Sequence, residues 1–142
     1  EATWDTLLSA DHRMIGVAVD DAHSFKVWGR QYSNPGRAWM MVRAERADPT
    51  ELLTALDAGV CYASTGVTLG EVHASGVELA LDIERQWERH YRTTFIGVDG
   101  RVLDVQEGLS ARYRMQDGER YVRARIDDSD GLTAWTQPLF HD

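Results

Sequence analysis

Residues Met14–His23 read M-I-G-V-A-V-D-D-A-H, an apolar run that ends in two carboxylates and an imidazole. A short apolar run without alternation is typical of a strand buried on both faces, as in a parallel sheet covered by helices. Side chains two positions apart on an extended chain point the same way, so Asp21 and His23 should present their polar groups together. At the C-terminal end of such a strand, this pair predicts a site for a divalent transition metal.

The same acid-x-His spacing occurs at Glu71 and His73, in a segment typical of an ordinary β-strand. Most histidines with an acidic neighbour are hydrogen-bonded or solvated rather than bound to a metal. Asp21 and His23 differ because they follow a predicted buried strand and open a long loop over residues 20–37, and long loops are often functional. We therefore interpret Glu71 and His73 as structural.

Composition limits the possible partners and locations. A chain of 142 residues that is 43% apolar makes one ordinary domain, or a small domain and a piece of another. The net charge of −8 argues against binding to a nucleic-acid duplex or an anionic membrane. The sequence has no apolar stretch of about 18 residues and its start lacks a signal-peptide pattern, so cytoplasm is the default location.

The single cysteine, Cys61, is interpreted as a small buried hydrophobe.

The first half of the chain has the pattern of alternating helices and buried strands. A short helix is predicted near residues 3–10, and buried strands are predicted at residues 14–19 and 38–42. Asp48 and Pro49 mark the start of a second helix, and Gly59 marks its end before a short strand.

From about residue 70 the pattern changes to short strands of period two. Residues 77–83 alternate as V-E-L-A-L-D-I, and Asp99-Gly100 is a strong signal for a two-residue hairpin. Some six or seven antiparallel strands are expected, which is the pattern of a β-sandwich of immunoglobulin-like type. We expect residues 1–68 and residues 69–142 to form separate units.

Several segments resemble the C-terminal part of the PHP (polymerase and histidinol phosphatase) family of metal-dependent phosphoesterases, in the branch with an appended β module. They are G-V-A-V-D-D-A-H at Gly16–His23, P-G-R-A-W-M-M-V-R-A at Pro35–Ala44, the helix E-L-L-T-A-L-D-A-G, Y-A-S-T-G at Tyr62–Gly66, and D-G-L-T-A-W-T-Q-P-L at Asp130–Leu139. The resemblance implies an α+β fold, in which the last strands and helix of an incomplete α/β barrel precede an antiparallel β-sandwich. It also implies zinc, manganese or iron in the intact protein, with Asp21 and His23 as ligands.

The opening H-x-D-x-H motif of that family does not occur in this sequence. Two ligands are fewer than a catalytic zinc normally has. The resemblance therefore implies the C-terminal fragment of a phosphoesterase, inactive by itself, that acts on a phosphorylated small molecule or nucleotide-type substrate. In that reading Arg37, Ser64 and Thr65 are candidates for phosphate contact.

Two other hypotheses remain open. In the first, the chain is a non-catalytic β-sandwich binding module, and Asp21 and His23 form a structural pair that orders the loop. In the second, unpaired strand edges near Met14–Val19 and residues 38–42 pair with another copy and make a homo-oligomer.

Overall fold

Ten strands and two α-helices make up the computed structural model, which describes residues 1–141. The helices are α1 (Ala2–Ser9) and α2 (Pro49–Asp57); the strands are β1 (Trp39–Val42), β2 (Cys61–Ser64), β3 (Leu69–Ser75), β4 (Glu78–Ile83), β5 (Tyr91–Ile96), β6 (Val102–Glu107), β7 (Ser110–Arg114), β8 (Tyr121–Asp128), β9 (Thr133–Thr136) and β10 (Leu139–Phe140). Neither helix of this described part is long and apolar enough to cross a membrane.

The strands form two antiparallel sheets that share one hydrophobic core. One sheet has seven strands in the order β1-β2-β9-β8-β5-β6, with β10 beside the start of β8, and the other has the order β3-β4-β7. Both sheets contribute buried side chains to the core, among them Leu79 and Leu81 from β4, Phe95 from β5, and Val122 and Ile126 from β8. The β-sandwich architecture predicted from the period-two strands is confirmed.

The expected α+β fold with an incomplete α/β barrel is wrong. The described strands pair only in the antiparallel sense and form no barrel. β1 pairs with β2, and the other edge of β2 pairs with β9, so residues of the expected barrel segment extend a sheet of the sandwich. Met14–Val19 pairs with no described strand, and Val17 and Val19 are 63% and 75% exposed. An apolar run becomes a buried strand only where neighbouring strands and helices cover it.

Local cap and turn signals in the sequence correspond to the observed elements. The Asp48 carboxylate accepts hydrogen bonds from two backbone N–H groups of the first turn of α2, and Pro49 begins that helix. Gly59 has φ +70°, the left-handed conformation that commonly follows a helix. Asp99 and Gly100 have φ of +57° and +72°, as a two-residue hairpin turn of this type requires.

A buried ion pair holds α1 on the outer face of the seven-stranded sheet. Arg123 on β8 is 1% exposed, and its Nε and Nη2 donate to the two Asp5 carboxylate oxygens at 2.7 and 2.8 Å. Its guanidinium also lies 4.9 Å from the centre of the Trp4 ring. Because a buried guanidinium requires a partner of opposite charge, this contact fixes where α1 packs.

Replacing Asp5 by alanine should lower the free energy of unfolding by about 3–5 kcal/mol, because Arg123 would remain buried without its main partner. Equilibrium denaturation in urea measures the change.

The matched control is Arg92→Ala, which breaks a surface pair with Glu107 at 3.3 Å in which both side chains are well exposed. That variant should lose less than about 1 kcal/mol. Equal losses in Asp5→Ala and Arg92→Ala would contradict the role given to the buried pair.

Candidate functional site

The chain between α1 and β1 contains an arm, residues 12–19, that forms neither helix nor strand, and a loop, residues 20–37, here called the Asp-x-His loop. The arm is fastened to the sandwich at Gly16. The Gly16 N–H donates to Gln137 Oε1 at 2.8 Å, and Gln137 Nε2 donates to the Gly16 carbonyl at 2.9 Å. The Trp4 ring covers Gly16 so closely that an added Cβ would lie 2.6 Å from a ring carbon. Any larger residue at this position would therefore displace the Trp4 ring.

Polar contacts close the base of the Asp-x-His loop. The Asp20 carboxylate accepts from the N–H of Ala22 at 3.2 Å and from the N–H of Gly36 at 2.6 Å, so it joins the two ends of the loop. Next to these contacts, the Ser33 carbonyl accepts hydrogen bonds from the backbone N–H groups of His23 and Ser24, both at 3.0 Å. The loop has the closed form of an Ω-loop, whose ends lie side by side.

Asn34 fills the interior of this loop. Its side chain is buried, and its Nδ2 donates to the carbonyls of Ser24 at 2.7 Å and Val27 at 2.9 Å. Its Oδ1 accepts from the Gly29 N–H at 3.0 Å, while Arg37 Nη2 donates to the Gly29 carbonyl at 2.7 Å. One amide side chain thus satisfies three backbone groups that no strand or helix pairs.

Asp21 and His23 lie at the closed base of the loop, and both are exposed. The chain is not extended here, because Asp21 has φ +49°, so the same-side argument from strand geometry does not apply. His23 Nδ1 lies 2.7 Å from the Asp21 carbonyl oxygen. Since a carbonyl only accepts, Nδ1 is the donor in this contact, and in the neutral ring the lone pair is then on Nε2. Metal-binding histidines commonly have this arrangement, in which the other ring nitrogen donates to a carbonyl.

The donor chemistry of this pair fits part of a metal site. A carboxylate and an imidazole suit zinc, manganese or iron. No group of three or more His, Cys, Asp or Glu side chains within residues 1–141 could hold a metal ion, and a catalytic zinc normally has three protein ligands. Asp21 and His23 would need ligands from elsewhere.

The other predicted site residues fall into two places. Arg37 belongs to the same loop as Asp21 and His23, and its side chain is tied to the loop backbone. The Ser64 hydroxyl is fully buried and donates to the Val67 carbonyl at 2.7 Å. Thr65 Oγ1 accepts from the Thr133 N–H at 2.8 Å, between the ends of β2 and β9. The contacts of Ser64 and Thr65 hold the turn after β2.

Cys61 borders a cavity of about 990 Å³ that opens between the arm and the sandwich, with Met14, Met41 and Tyr62 also in its wall. Burial raises the pKa of the Cys61 thiol, and a hydrogen bond with the Gln137 side chain opposes that rise. A raised pKa keeps the thiol protonated at neutral pH, where it is a poor nucleophile and a poor metal ligand.

Two residues that organise the site were not identified from the sequence. Asn34 stands before Pro35, where a turn is expected, but the turn signal does not indicate that its side chain supports the loop. Gln137 lies 121 positions from Gly16, and no local pattern marks a contact over that separation.

The chain is thus an antiparallel β-sandwich preceded by the helix α1 and by an arm that leads into a loop with Asp21 and His23 exposed. No family model, no curated protein and no solved structure matches the chain.

Replacing Asn34 by alanine should open the loop without unfolding the sandwich. Hydrogen exchange at the Gly29 and Ser24 amides should become about tenfold faster or more, because their hydrogen bonds depend on this side chain or on the closure it maintains. Amides of β8 should keep their protection.

Gln31→Ala is the matched control, because Gln31 is an exposed amide side chain in the same loop. Its exchange rates should equal those of the unmodified chain. Protection at residues 24 and 29 that survives in Asn34→Ala would contradict this account of the loop.

Proposed function

We propose that this chain is the C-terminal part of a metal-dependent phosphoesterase, inactive by itself, in which Asp21 and His23 supply two ligands of a divalent metal site. The observation that carries the proposal is that each of these two side chains, at the closed base of the loop, has a metal-binding atom without a partner among the described residues. In the tautomer that donates from Nδ1 to the Asp21 carbonyl, His23 Nε2 is the nitrogen available to a metal, and the Asp21 carboxylate has no hydrogen bond or ion pair with the described residues.

The bound metal would lower the pKa of a coordinated water and polarise the phosphoryl oxygens of a phosphorylated small molecule or nucleotide-type substrate. In this proposal, the residues of this chain hold the metal ligands in place and orient them. The Asp21 carbonyl fixes the His23 ring through the 2.7 Å hydrogen bond, and Asp20 fixes the loop by accepting from Gly36. The exposed Arg37 donates one N–H to the Gly29 carbonyl. In this proposal, its remaining N–H groups donate to the substrate phosphate.

Exposed apolar side chains on and beside the arm support the proposal that a further part of the protein covers it. Met14, Val17 and Val19 are 42%, 63% and 75% exposed, and Trp39 and Met41 on the neighbouring edge strand β1 are 39% and 40% exposed. Large apolar side chains concentrated in one region mark an interaction surface. In the proposal, the covering part carries the remaining metal ligands.

A second candidate function is a non-catalytic β-sandwich binding module. The bond from His23 Nδ1 to the Asp21 carbonyl also orders the start of the loop, which is a structural use of the same pair. The unpaired edge of β1 would then pair with a second copy, and sedimentation velocity would detect a concentration-dependent dimer.

The proposal predicts an H-x-D-x-H motif and further His and Glu residues in the coding sequence upstream of Glu1. The polypeptide that includes them should retain zinc, manganese or iron after dialysis, as measured by elemental analysis. Asp21→Asn and His23→Ala should each lower the metal content per chain, because each removes a ligand from a site with few ligands.

The chain contains its own control for this measurement. Glu71→Gln and His73→Ala alter the second acid-x-His pair, on the exposed face of β3, and should leave the metal content unchanged. Equal metal content in all four variants, or an upstream sequence without such ligands, would falsify the phosphoesterase proposal and favour the binding module.

A further inference from the structure

The loop between β4 and β5, residues 84–90, presents a tryptophan to solvent. Trp87 is 88% exposed, more than any other large apolar side chain of the described residues. Its φ of +53° lies in the left-handed region, which a bulky residue adopts only where the surrounding structure imposes it. A large ring that a strained backbone holds in water indicates a binding role, since apolar surface of this size is stabilised by removal from water.

Hydrogen bonds hold the β4–β5 loop in this conformation. The Gln86 N–H donates to the Tyr91 hydroxyl at 3.1 Å, and Gln86 Nε2 donates to Thr68 Oγ1 at 2.9 Å. Gln86 Oε1 accepts from Arg89 Nη1 at 3.0 Å, and the same Nη1 donates to Asp128 at 3.1 Å. The loop is thus fixed on both sides of the tryptophan, so binding through the ring costs little further ordering of the backbone.

A cavity of about 660 Å³ lies beside the β4–β5 loop, within the size range of small-ligand sites. Three arginines and four carboxylates line it, so its charges nearly balance and favour a ligand without net charge. Within it, Arg89 pairs with Asp128 at 3.1 Å and Arg92 pairs with Glu107 at 3.3 Å. Three further polar side chains of its wall have no hydrogen bond or ion pair with the described residues: Arg85, Glu88 and His90.

The chemistry of these groups matches that of a sugar. A pyranose has hydroxyl groups that both donate and accept, and Arg85 offers donors while Glu88 offers acceptors. It also has a face of C–H groups, which packs well on an aromatic ring. Trp87 directly precedes Glu88, so its Cα lies about 3.8 Å from that of a residue in the cavity wall. The tryptophan therefore stands at the edge of the cavity.

We propose that the β4–β5 loop and the cavity beside it bind a neutral saccharide, whose pyranose ring stacks on Trp87 and whose hydroxyls contact the unpaired polar side chains of the cavity wall. The site shares no residue with the Asp-x-His loop. It is therefore a binding function additional to the proposed metal site and does not depend on it.

NMR titration of this chain measures the binding directly. Among β-1,4-linked tetramers of glucose, mannose and galactose, at least one should shift the Trp87 indole N–H and the amides of residues 85–90 in a saturable way. Sorbitol has the hydroxyls without a pyranose ring and should cause no such shift. The affinity should be the same at low and high ionic strength, because the ligand has no charge to be screened.

Trp87→Ala should weaken saccharide binding by about tenfold, because the stacking surface is lost. The matched control is Trp28→Ala, which removes a ring that is 66% exposed on the Asp-x-His loop and should leave the affinity unchanged. Arg85→Ala and Glu88→Ala should each weaken binding several-fold. Arg30→Ala, at an exposed arginine of the other loop, should have no effect.

Four results would overturn the inference: no saturable shift with any of the three tetramers, equal shifts with sorbitol, binding that weakens with salt, or equal affinity losses in Trp87→Ala and Trp28→Ala. Asp21→Asn separates this inference from the metal site. That variant should keep its saccharide affinity whether or not its metal content falls, so the two proposals are decided by different measurements.

Discussion

The buried pair of Arg123 and Asp5 is the interaction on which the position of the site depends. A guanidinium that is 1% exposed is stable only with a carboxylate against it, and here the two bonds of 2.7 and 2.8 Å bring α1 onto β8. α1 carries Trp4, whose Nε1 donates to the Met14 carbonyl at 3.3 Å and whose ring covers Gly16. The location of the arm, and therefore of the loop that follows it, depends on a charge pair buried between α1 and the outer face of the seven-stranded sheet.

The arm receives a second attachment from the end of the chain. Gln137 donates to and accepts from Gly16, as a neighbouring strand would, but at one residue only. Beyond it, Asp20 and Asn34 close the Asp-x-His loop from within through hydrogen bonds to its backbone. A rigid sandwich that positions a self-supporting loop is the usual arrangement for binding sites built on β-sheet scaffolds.

Local signals in the sequence predicted what depends on a few neighbouring residues. The Asp48 cap, the left-handed Gly59 and the Asp99-Gly100 turn follow from backbone conformations that these residue types favour. The interpretation of Met14–Val19 as a buried strand was wrong, because periodicity describes a segment and not the neighbours that would cover it. The pairing of β2 with β9 and the contact of Gln137 with Gly16 join residues far apart in sequence, and no pattern within either segment encodes them.

In the Asp-x-His loop, the side chains that hold the conformation are different from those that are most exposed to solvent. Its conformation depends on Asp20, Ser33 and Asn34, which contact the backbone, whereas Phe25 and Trp28 are largely in solvent. Substitutions at exposed positions away from such contacts usually change stability by less than about 0.5 kcal/mol. Side chains at positions 25 and 28 can therefore change without moving Asp21 and His23. A loop held by its own polar interior can thus vary its exposed side chains while the backbone that carries Asp21 and His23 keeps its conformation.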